Sequence, residues 1–448
     1  MSFLKRLLRP LGALALSVTF LAVALLAWAL DDLRGLRYRL LEDIRALTER
    51  TDARPVQAQP ILSGDFGQLA TQPWAALAAL QTYSSDLEDC RGVQEGERPF
   101  AQVPPGCLRQ LSQSDEPLRA LLRATHAENA RPPADLAVLE ALGSKEQANT
   151  LATAAYVGRM AALRMRAQLA SGQPVAAVIT CVDVLALARD LTWGTGLVGR
   201  LAALSVSETA LAPCAAALSS APSAAKRRAA LGLALVANGT PPLAVTFADT
   251  SVALRMQLFG PYLAEALPGV PTRTAARPHP SLIETVVLVW KWDRLQSLLL
   301  AAVEAARLPP PEDQRRLLVL GARAAPFSQT LGGLFPDLRS VAIRDQRARA
   351  RLLALGQSAR VKLPRPTPAD VTWAKANGTD VTLATLTLAR DAYARTCSPC
   401  HALPLPTEFP AKLWPKLVDE MVDEQNVKLS PEQRQQIEEF LTVMSRTR

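Results

Sequence analysis

Residues 11–30 form an uncharged, apolar run that follows three basic residues, Lys5, Arg6 and Arg9. A helix of about 20 apolar residues is long enough to cross a bilayer. Ala27-Trp28-Ala29 has the small-x-small form of a signal-peptidase site, which leaves a cleaved signal peptide as the alternative. The run is long for the core of a signal peptide, and Trp28 occupies the place of an interfacial aromatic. We therefore predict a transmembrane signal-anchor over residues 1–30, with the rest of the chain exported.

The remainder of the chain has the composition of packed helices. Apolar residues make up 49% of the chain and aromatic residues only 5%, a balance that disfavours sheets. The clearest pair of helices is predicted at 151–170 and 175–191, because Gly172 ends the first and Pro174 opens the second. The pair resembles the helical hairpins of tetratricopeptide-type solenoids, although no repeat period is sustained over three units. The predicted fold class is all-α, with an exported helical domain over residues 31–357.

Charge and histidine content narrow the classes of function. The net charge of +9 is spread along the chain without a dense basic block or interleaved aromatics, so we expect no nucleic-acid site. A chain with three histidines has little scope for hydrolytic or metal chemistry. No Ser/His/Asp set, phosphate loop or paired-carboxylate motif stands out in the helical domain. A basic surface weakly favours anionic lipid or an acidic partner protein.

Six cysteines divide into three pairs along the chain. Cys90 and Cys107 bracket a polar loop, whereas Cys181 and Cys214 lie in neighbouring helical segments. An even count in an exported chain predicts a disulfide for each of these two pairs. A regular hairpin would offset the cysteines of the second pair by about eight residues, or about 12 Å, which argues against that disulfide unless Pro213 breaks the helix.

A Pro-rich linker is predicted over residues 358–368, before a final domain at residues 369–448. That domain contains Cys397-Ser-Pro-Cys400-His401, the Cys-x-x-Cys-His pattern of c-type haem attachment. The chemistry requires this spacing, because two thiols add across the haem vinyl groups and the adjacent histidine ligates the iron. The alternatives are a redox Cys-x-x-Cys and half of a zinc site. The zinc site lacks a second Cys/His pair, and a helix rather than a strand is predicted before the motif.

The sequence after the motif continues with Trp414-Pro-Lys-Leu-Val-Asp-Glu-Met421, Leu429-Ser-Pro-Glu and Ile437-Glu-Glu-Phe-Leu441. This succession resembles the short class I-like c-type cytochrome domains that occur alone or fused to bacterial exported proteins. The resemblance implies that Trp414 opens the middle helix at the haem, that a methionine ends this helix, and that the final helix packs on the first. It also implies one covalent haem c, held by the three motif residues. The resemblance says nothing about the chain before this domain.

Three alternatives remain for the sixth position on the iron. Met421 lies seven residues after Trp414, two turns along one helical face, and is the predicted ligand opposite His401. Met421 could instead belong to an apolar stripe, as methionines on such faces usually do. Met444 is the rival ligand, on a helix that Ser430 caps and that braces the fold in the domains resembled. An open sixth site is the third alternative.

These features favour a membrane-anchored periplasmic cytochrome that transfers single electrons, because His/Met ligation closes the iron to substrates. We expect a single pass through the bacterial inner membrane, with the C-terminal domains in the periplasm. The helical domain would dock a redox partner protein within a larger membrane complex. The alternative is a membrane-bound helical scaffold or assembly protein whose haem is a sensor or structural element. An enzyme would need an open iron, so we expect an electron carrier rather than an enzyme.

Overall fold

The computed structural model describes residues 62–82, 87–129, 144–263, 282–330, 338–359, 363–397, 404–424 and 429–446, with scattered positions between 17 and 46. The predicted all-α class is confirmed, because nearly all elements in these ranges are helices. One small sheet was not predicted, in which β1 (Leu62–Asp65) pairs in parallel with β2 (Ala127–Asn129). Strands this short carry no alternation of apolar and polar residues from which a sequence could reveal them.

The described helices up to position 359 are α1 (Phe66–Thr82), α2 (Leu87–Glu95), α3 (Pro105–Ala124), α4 (Ser144–Ala170), α5 (Pro174–Asp190), α6 (Gly196–Ser220), α7 (Ser223–Gly239), α8 (Leu243–Leu263), α9 (Leu282–Ala305), α10 (Glu312–Thr330) and α11 (Leu338–Ala359). Pro105 and Pro174 stand at the first position of α3 and α5. A proline is favourable there, because the first N–H groups of a helix have no intrahelical partner.

The main core lies where α4, α5 and α6 pack together and α1 to α3 cover them. The predicted helical pair corresponds to α4 and α5, which contact each other. Gly172 in their connection has a φ of +69°, a left-handed conformation that favours glycine. Both helices also pack extensively on α6. The likeness to tetratricopeptide-type solenoids stays a prediction.

Both predicted disulfides of the helical domain are present. Cys90–Cys107 joins α2 to α3 with its Cα atoms 5.7 Å apart, and Cys181–Cys214 joins α5 to α6 with its Cα atoms 5.1 Å apart. The expectation that a regular hairpin would offset the second pair is therefore wrong. The first turn of α6 is held on α8, since the Leu197 N–H donates to Thr250 Oγ1 at 2.8 Å. Helix α6 continues through Pro213, so the disulfide forms without the break that the sequence analysis considered there.

A second cluster of the helical domain forms where α6 and α8 meet α9, α10 and α11, around Leu197, Phe247 and Leu317. Among the described residues, α6 is the single helix that is long and apolar enough to cross a membrane, yet 56% of its apolar window is buried in the protein. The pair α7 and the first part of α8 meets the same criteria only across a bend of 51°. Because core helices have this composition too, the burial of α6 assigns it to the core.

Part of the predicted anchor is described. Residues 19–25 are helical, and the side chains of Phe20, Leu21 and Val23 are each more than half exposed. Exposed apolar residues in a row are unusual for a helix surrounded by water. The transmembrane anchor itself stays a prediction.

The C-terminal domain contains α12 (Pro368–Ala376), α13 (Leu383–Cys397), α14 (Trp414–Glu424) and α15 (Pro431–Met444). Its core is separate from the two clusters of the helical domain. Ser430 caps α15 as predicted, because its hydroxyl accepts a hydrogen bond from the Gln433 N–H at 3.2 Å. Arg446, just beyond α15, pairs with the buried Asp370 of α12. The first and last helices of the domain are therefore joined by a charged contact as well as by apolar packing.

The segment between the two domains is short. Helix α11 ends at Ala359, and residues 363–367 have no regular structure. Leu363, which lies in the predicted linker, is only 8% exposed and belongs to the core of the C-terminal domain. The last part of this segment is thus packed against the domain that follows it.

Candidate functional site

Helix α13 brings the first cysteine of the motif to the inner side of the C-terminal domain. The buried positions of this helix recur at intervals of three and four residues, at Leu386, Ala389, Tyr393 and Cys397. Side chains at these intervals share one face of a helix. Since α13 packs on α15, Cys397 ends a stripe that faces the core and is only 7% exposed. The helix predicted before the motif therefore does lead into it.

Cys400 and His401 lie outside the described residues, three and four positions after the end of α13. Their chemistry, taken with the buried thiol of Cys397, fits a covalent haem, because two thiols and one imidazole are what c-type attachment needs. A thiol that ends a helix on its core side is also suited to hold an apolar macrocycle out of water. Cys397 and Cys400 could hold the haem, and His401 could ligate its iron.

The chain that follows the motif is fastened to two buried aromatic side chains. Tyr393 Oη donates to the Pro404 carbonyl oxygen at 3.0 Å, and Trp414 Nε1 donates to the Pro406 carbonyl oxygen at 2.9 Å. Both aromatic side chains are fully buried. These two bonds give both carbonyls a donor and fix the returning loop to the core. Trp414 is the first residue of α14, at the position that the sequence resemblance implied.

The sequence analysis did not identify Tyr393 as a residue of the haem site. Burial raises the pKa of the Tyr393 phenol, Cys397 raises it further, and Arg227 opposes the change. The phenol is therefore neutral and acts as a hydrogen-bond donor over the physiological range. Its ring lies 6.3 Å from that of Phe440 on α15, centroid to centroid. Its position four residues before Cys397 was the available signal, since that spacing places it on the same face.

The two candidate methionine ligands are in different surroundings. Met421 lies in α14, two turns after Trp414, and its side chain is outside the description. Met444 ends α15 and is 3% exposed, packed in the core with Phe440 and Leu441. Met444 thus braces the domain, as the resemblance implied for its helix. The role of Met421 as a ligand stays a prediction.

One residue of the helical domain reaches this region. Arg227 of α7 forms an ion pair with Glu408, in the loop that follows the motif, and its side chain is only 9% exposed. Burial lowers the pKa of the Arg227 guanidinium, while electrostatic attraction to Tyr393 opposes that change. A cation of one domain therefore lies beside the helix that carries Cys397 in the other. Sequence patterns gave no signal for this contact, because the two partners are far apart in the chain.

The fold and the motif together define a small helical domain of the c-type haem class. Residues 393–448 match the family model for dihaem cytochrome c. Neither the curated proteins nor the solved structures contain a match to this chain. The C-terminal domain is accordingly of the cytochrome c type, which implies covalent haem c and suggests electron transfer by a haem protein.

The family name and the sequence differ in the number of haems. The 448 residues contain one Cys-x-x-Cys-His motif. The four cysteines outside it are joined as Cys90–Cys107 and Cys181–Cys214. Thiols in a disulfide cannot form thioether bonds to a second haem. One covalently attached haem therefore stays a prediction from the sequence, because the matched family is described as dihaem.

Proposed function

We propose that this protein is a membrane-anchored periplasmic cytochrome that transfers single electrons through one covalent haem. The observation that carries the proposal is Cys397, buried at the end of α13, which opens a Cys-x-x-Cys-His motif inside a segment that matches a cytochrome c family. Electron transfer needs a redox group that is held rigidly and shielded from competing chemistry. The C-terminal domain supplies such surroundings, since its core side chains are almost fully buried.

In this proposal the motif residues hold the haem, and the domain excludes water from it. Cys397 and Cys400 would hold the haem covalently, through thioether bonds formed from their thiols. His401 would ligate the iron through an imidazole nitrogen, and Met421 would ligate it through its thioether sulfur. When bound, the haem supplies a one-electron couple whose potential His/Met ligation raises relative to His/His ligation. Trp414 and Tyr393 hold the loop after His401 in place.

The proposal places residues 1–30 in the inner membrane of a bacterium and the two domains in the periplasm. It is supported by the apolar run at 11–30, whose described side chains at positions 20, 21 and 23 are exposed. It is also supported by two disulfides in the helical domain, because such bonds persist in oxidising compartments. The helical domain would dock a redox partner protein. Protease accessibility of the two domains in spheroplasts tests this orientation, and cleavage from the cytoplasmic side would contradict it.

The test of the haem assignment uses the full chain, matured with covalent haem and held in lipid discs. We expect a haem-to-protein ratio of one, loss of covalent haem in Cys397→Ser, and reversible reduction without a spectral change on adding CO. A ratio of two would contradict the single haem. Ready CO binding by the unaltered protein would favour a sensor or an enzyme over an electron carrier.

Matched methionine variants test the sixth ligand. We expect Met421→Ala to open the iron to CO and to lower the reduction potential. Met444→Ala should leave the iron closed and only destabilise the domain, because Met444 is a core side chain. The reverse pattern would assign the ligand to Met444.

A further inference from the structure

A cavity of about 230 Å³ lies between α5, α6, α7 and α11 of the helical domain, remote in sequence from the haem motif. Most of its wall is apolar, with Leu185, Leu204, Leu211, Val236 and Leu352 among the lining side chains. The wall also contains three arginines, Arg189, Arg200 and Arg349, and one carboxylate, Asp345. Such a combination of apolar wall and concentrated positive charge is typical of a ligand site rather than of a packing defect.

The positive charge in the wall is only partly neutralised. Asp345 is shared by two guanidinium groups, since its Oδ1 lies 2.5 Å from Arg200 Nη2 and its Oδ2 accepts from Arg349 Nε at 3.0 Å. Arg189 has its own carboxylate, because its Nε donates to Asp190 Oδ1 at 2.8 Å. Within the part of the chain that the structure describes, the cavity thus has three guanidinium groups against two carboxylates, an excess of one positive charge. Since Arg189 and Arg200 are almost fully buried, an anion placed beside their guanidinium groups would be stabilising.

Arg200 is the centre of this arrangement. Its side chain is 1% exposed, and its Nη1 donates to the Pro241 carbonyl oxygen at 3.0 Å. Its Nε has no hydrogen-bond partner among the described residues. Burial lowers the pKa of Arg200 to about 10, Asp345 offsets part of this change, and the like charge of Arg349 adds to it. The guanidinium still carries its proton at neutral pH, and an unsatisfied donor on a fully buried cation is a strong reason to expect an acceptor.

The cavity has a mouth through which a ligand could enter. Leu353 and Asn238 line the cavity and are exposed to solvent, and the side chain of Arg349, which also lines it, is 34% exposed. At about 230 Å³, the cavity is far larger than a single inorganic anion and has room for a carboxylate with an apolar chain. A single inorganic anion would satisfy the charge but leave the apolar wall uncovered.

We propose that this cavity binds a carboxylic acid with a short apolar body, its carboxylate on the arginines and its chain among the leucines. Arginine guanidinium groups match a carboxylate in geometry and charge. The ligand is therefore an anionic amphiphile, and it is bound by the helical domain independently of the haem.

The test titrates octanoate into the full chain in phosphatidylcholine discs by calorimetry, with the heat of empty discs subtracted. We expect one octanoate per chain. Octanol, which lacks the charge, should bind at least about tenfold more weakly, since one charge-assisted hydrogen bond is worth roughly that factor. Acetate, which lacks the chain, should also bind at least about tenfold more weakly, since each buried methylene contributes a factor of about four. Equal binding of octanol and octanoate, or no octanoate binding at millimolar concentration, would overturn the proposal.

Variants locate the site. Arg349→Gln, at the mouth, should weaken octanoate binding at least about tenfold. The matched control is Arg344→Gln on the same helix, whose guanidinium pairs with Glu208 outside the cavity, and it should bind octanoate normally. Ser207→Phe fills the cavity without touching the charges and should abolish binding. Normal binding by Arg349→Gln and Ser207→Phe would refute the site.

One further arm distinguishes the source of the anion. The titration is repeated in phosphatidylglycerol discs, where lipid headgroups compete with the free acid. Unchanged binding of octanoate supports a free carboxylic acid as the ligand. Loss of binding in these discs alone would show that a lipid headgroup takes the arginines, and would overturn the assignment to a free acid.

Discussion

Replacing Tyr393 with phenylalanine removes one hydroxyl from the core of the C-terminal domain. At neutral pH the variant should be less stable by about 1 kcal/mol, because the phenol donates to the Pro404 carbonyl oxygen at 3.0 Å and a typical hydrogen bond contributes about that much. The ring is kept in the variant, so the contact with Phe440 should persist. The change therefore isolates the hydroxyl.

At alkaline pH the difference should reverse. Burial raises the pKa of Tyr393 well above its ordinary value of 10.0, so the folded protein keeps the phenolic proton at a pH where the unfolded chain loses it. Stability contributed by this group is complete below pH 10 and is lost as the pH rises further. The loss follows from the unfolded-state titration and is about 0.8 kcal/mol at pH 10.5 and about 1.4 kcal/mol at pH 11. The variant lacks this loss, so the two stability curves should cross at about pH 10.6.

The assay is urea unfolding of the haem-loaded full chain between pH 8 and 11, followed by haem absorbance. Lysines and other groups titrate alike in both proteins, so the difference between the two curves reports Tyr393. Burial, the largest cause of the raised pKa, persists when Cys397 carries a thioether. Tyr38→Phe, at a position that is 72% exposed, serves as the control. Parallel curves for the protein and Tyr393→Phe up to pH 11 would refute the reasoning.

Three further predictions follow from the same contacts. Trp414→Phe should destabilise the C-terminal domain by about 2–4 kcal/mol in urea unfolding, because it leaves the Pro406 carbonyl without its donor and opens a void in the core; a loss below about 0.5 kcal/mol would contradict that. Arg227→Gln should lower the haem reduction potential and Glu408→Gln should raise it, each on the order of tens of millivolts, because removing a cation favours the oxidised haem and removing an anion favours the reduced haem. Spectroelectrochemical titration measures both potentials. Shifts of the same sign would contradict an electrostatic effect of this ion pair on the haem. Replacing both cysteines of Cys181–Cys214 with alanine should cost about 4 kcal/mol and those of Cys90–Cys107 about 3 kcal/mol, because the bonds close loops of 33 and 17 residues; thermal unfolding of the two variants tests this order.

The sequence predicted the elements whose cause is local. The spacing of apolar residues predicts helix α13 directly before the motif. Ser430 as the cap and Pro431 in the first turn predict α15. The two disulfides follow from cysteine parity in an exported chain. In each case the signal lies within a few residues or in a simple count, so no knowledge of distant contacts is needed.

Features that depend on distant contacts could not be predicted in this way. The offset expected for Cys181–Cys214 was wrong, because the number of residues between two helices does not determine how the helices pack on each other. The approach of Arg227 to Glu408 spans a still longer separation and carries no periodic pattern. The arginines around the cavity come from three helices that nothing in their spacing relates. A single sequence gives local propensity, whereas these features are set by how helices meet.

The burial of Leu363 limits how far the C-terminal domain can travel. Helix α11 ends at Ala359, four residues earlier, and a chain spans at most about 3.5 Å per residue, so the two points can be no more than about 14 Å apart. That length is about half the thickness of the hydrocarbon core of a bilayer. A haem in a domain with so short a connection cannot move between two distant partners by displacement of that domain. In the function proposed above, electron exchange would therefore take place beside the helical domain, and the redox partner would be the molecule that diffuses.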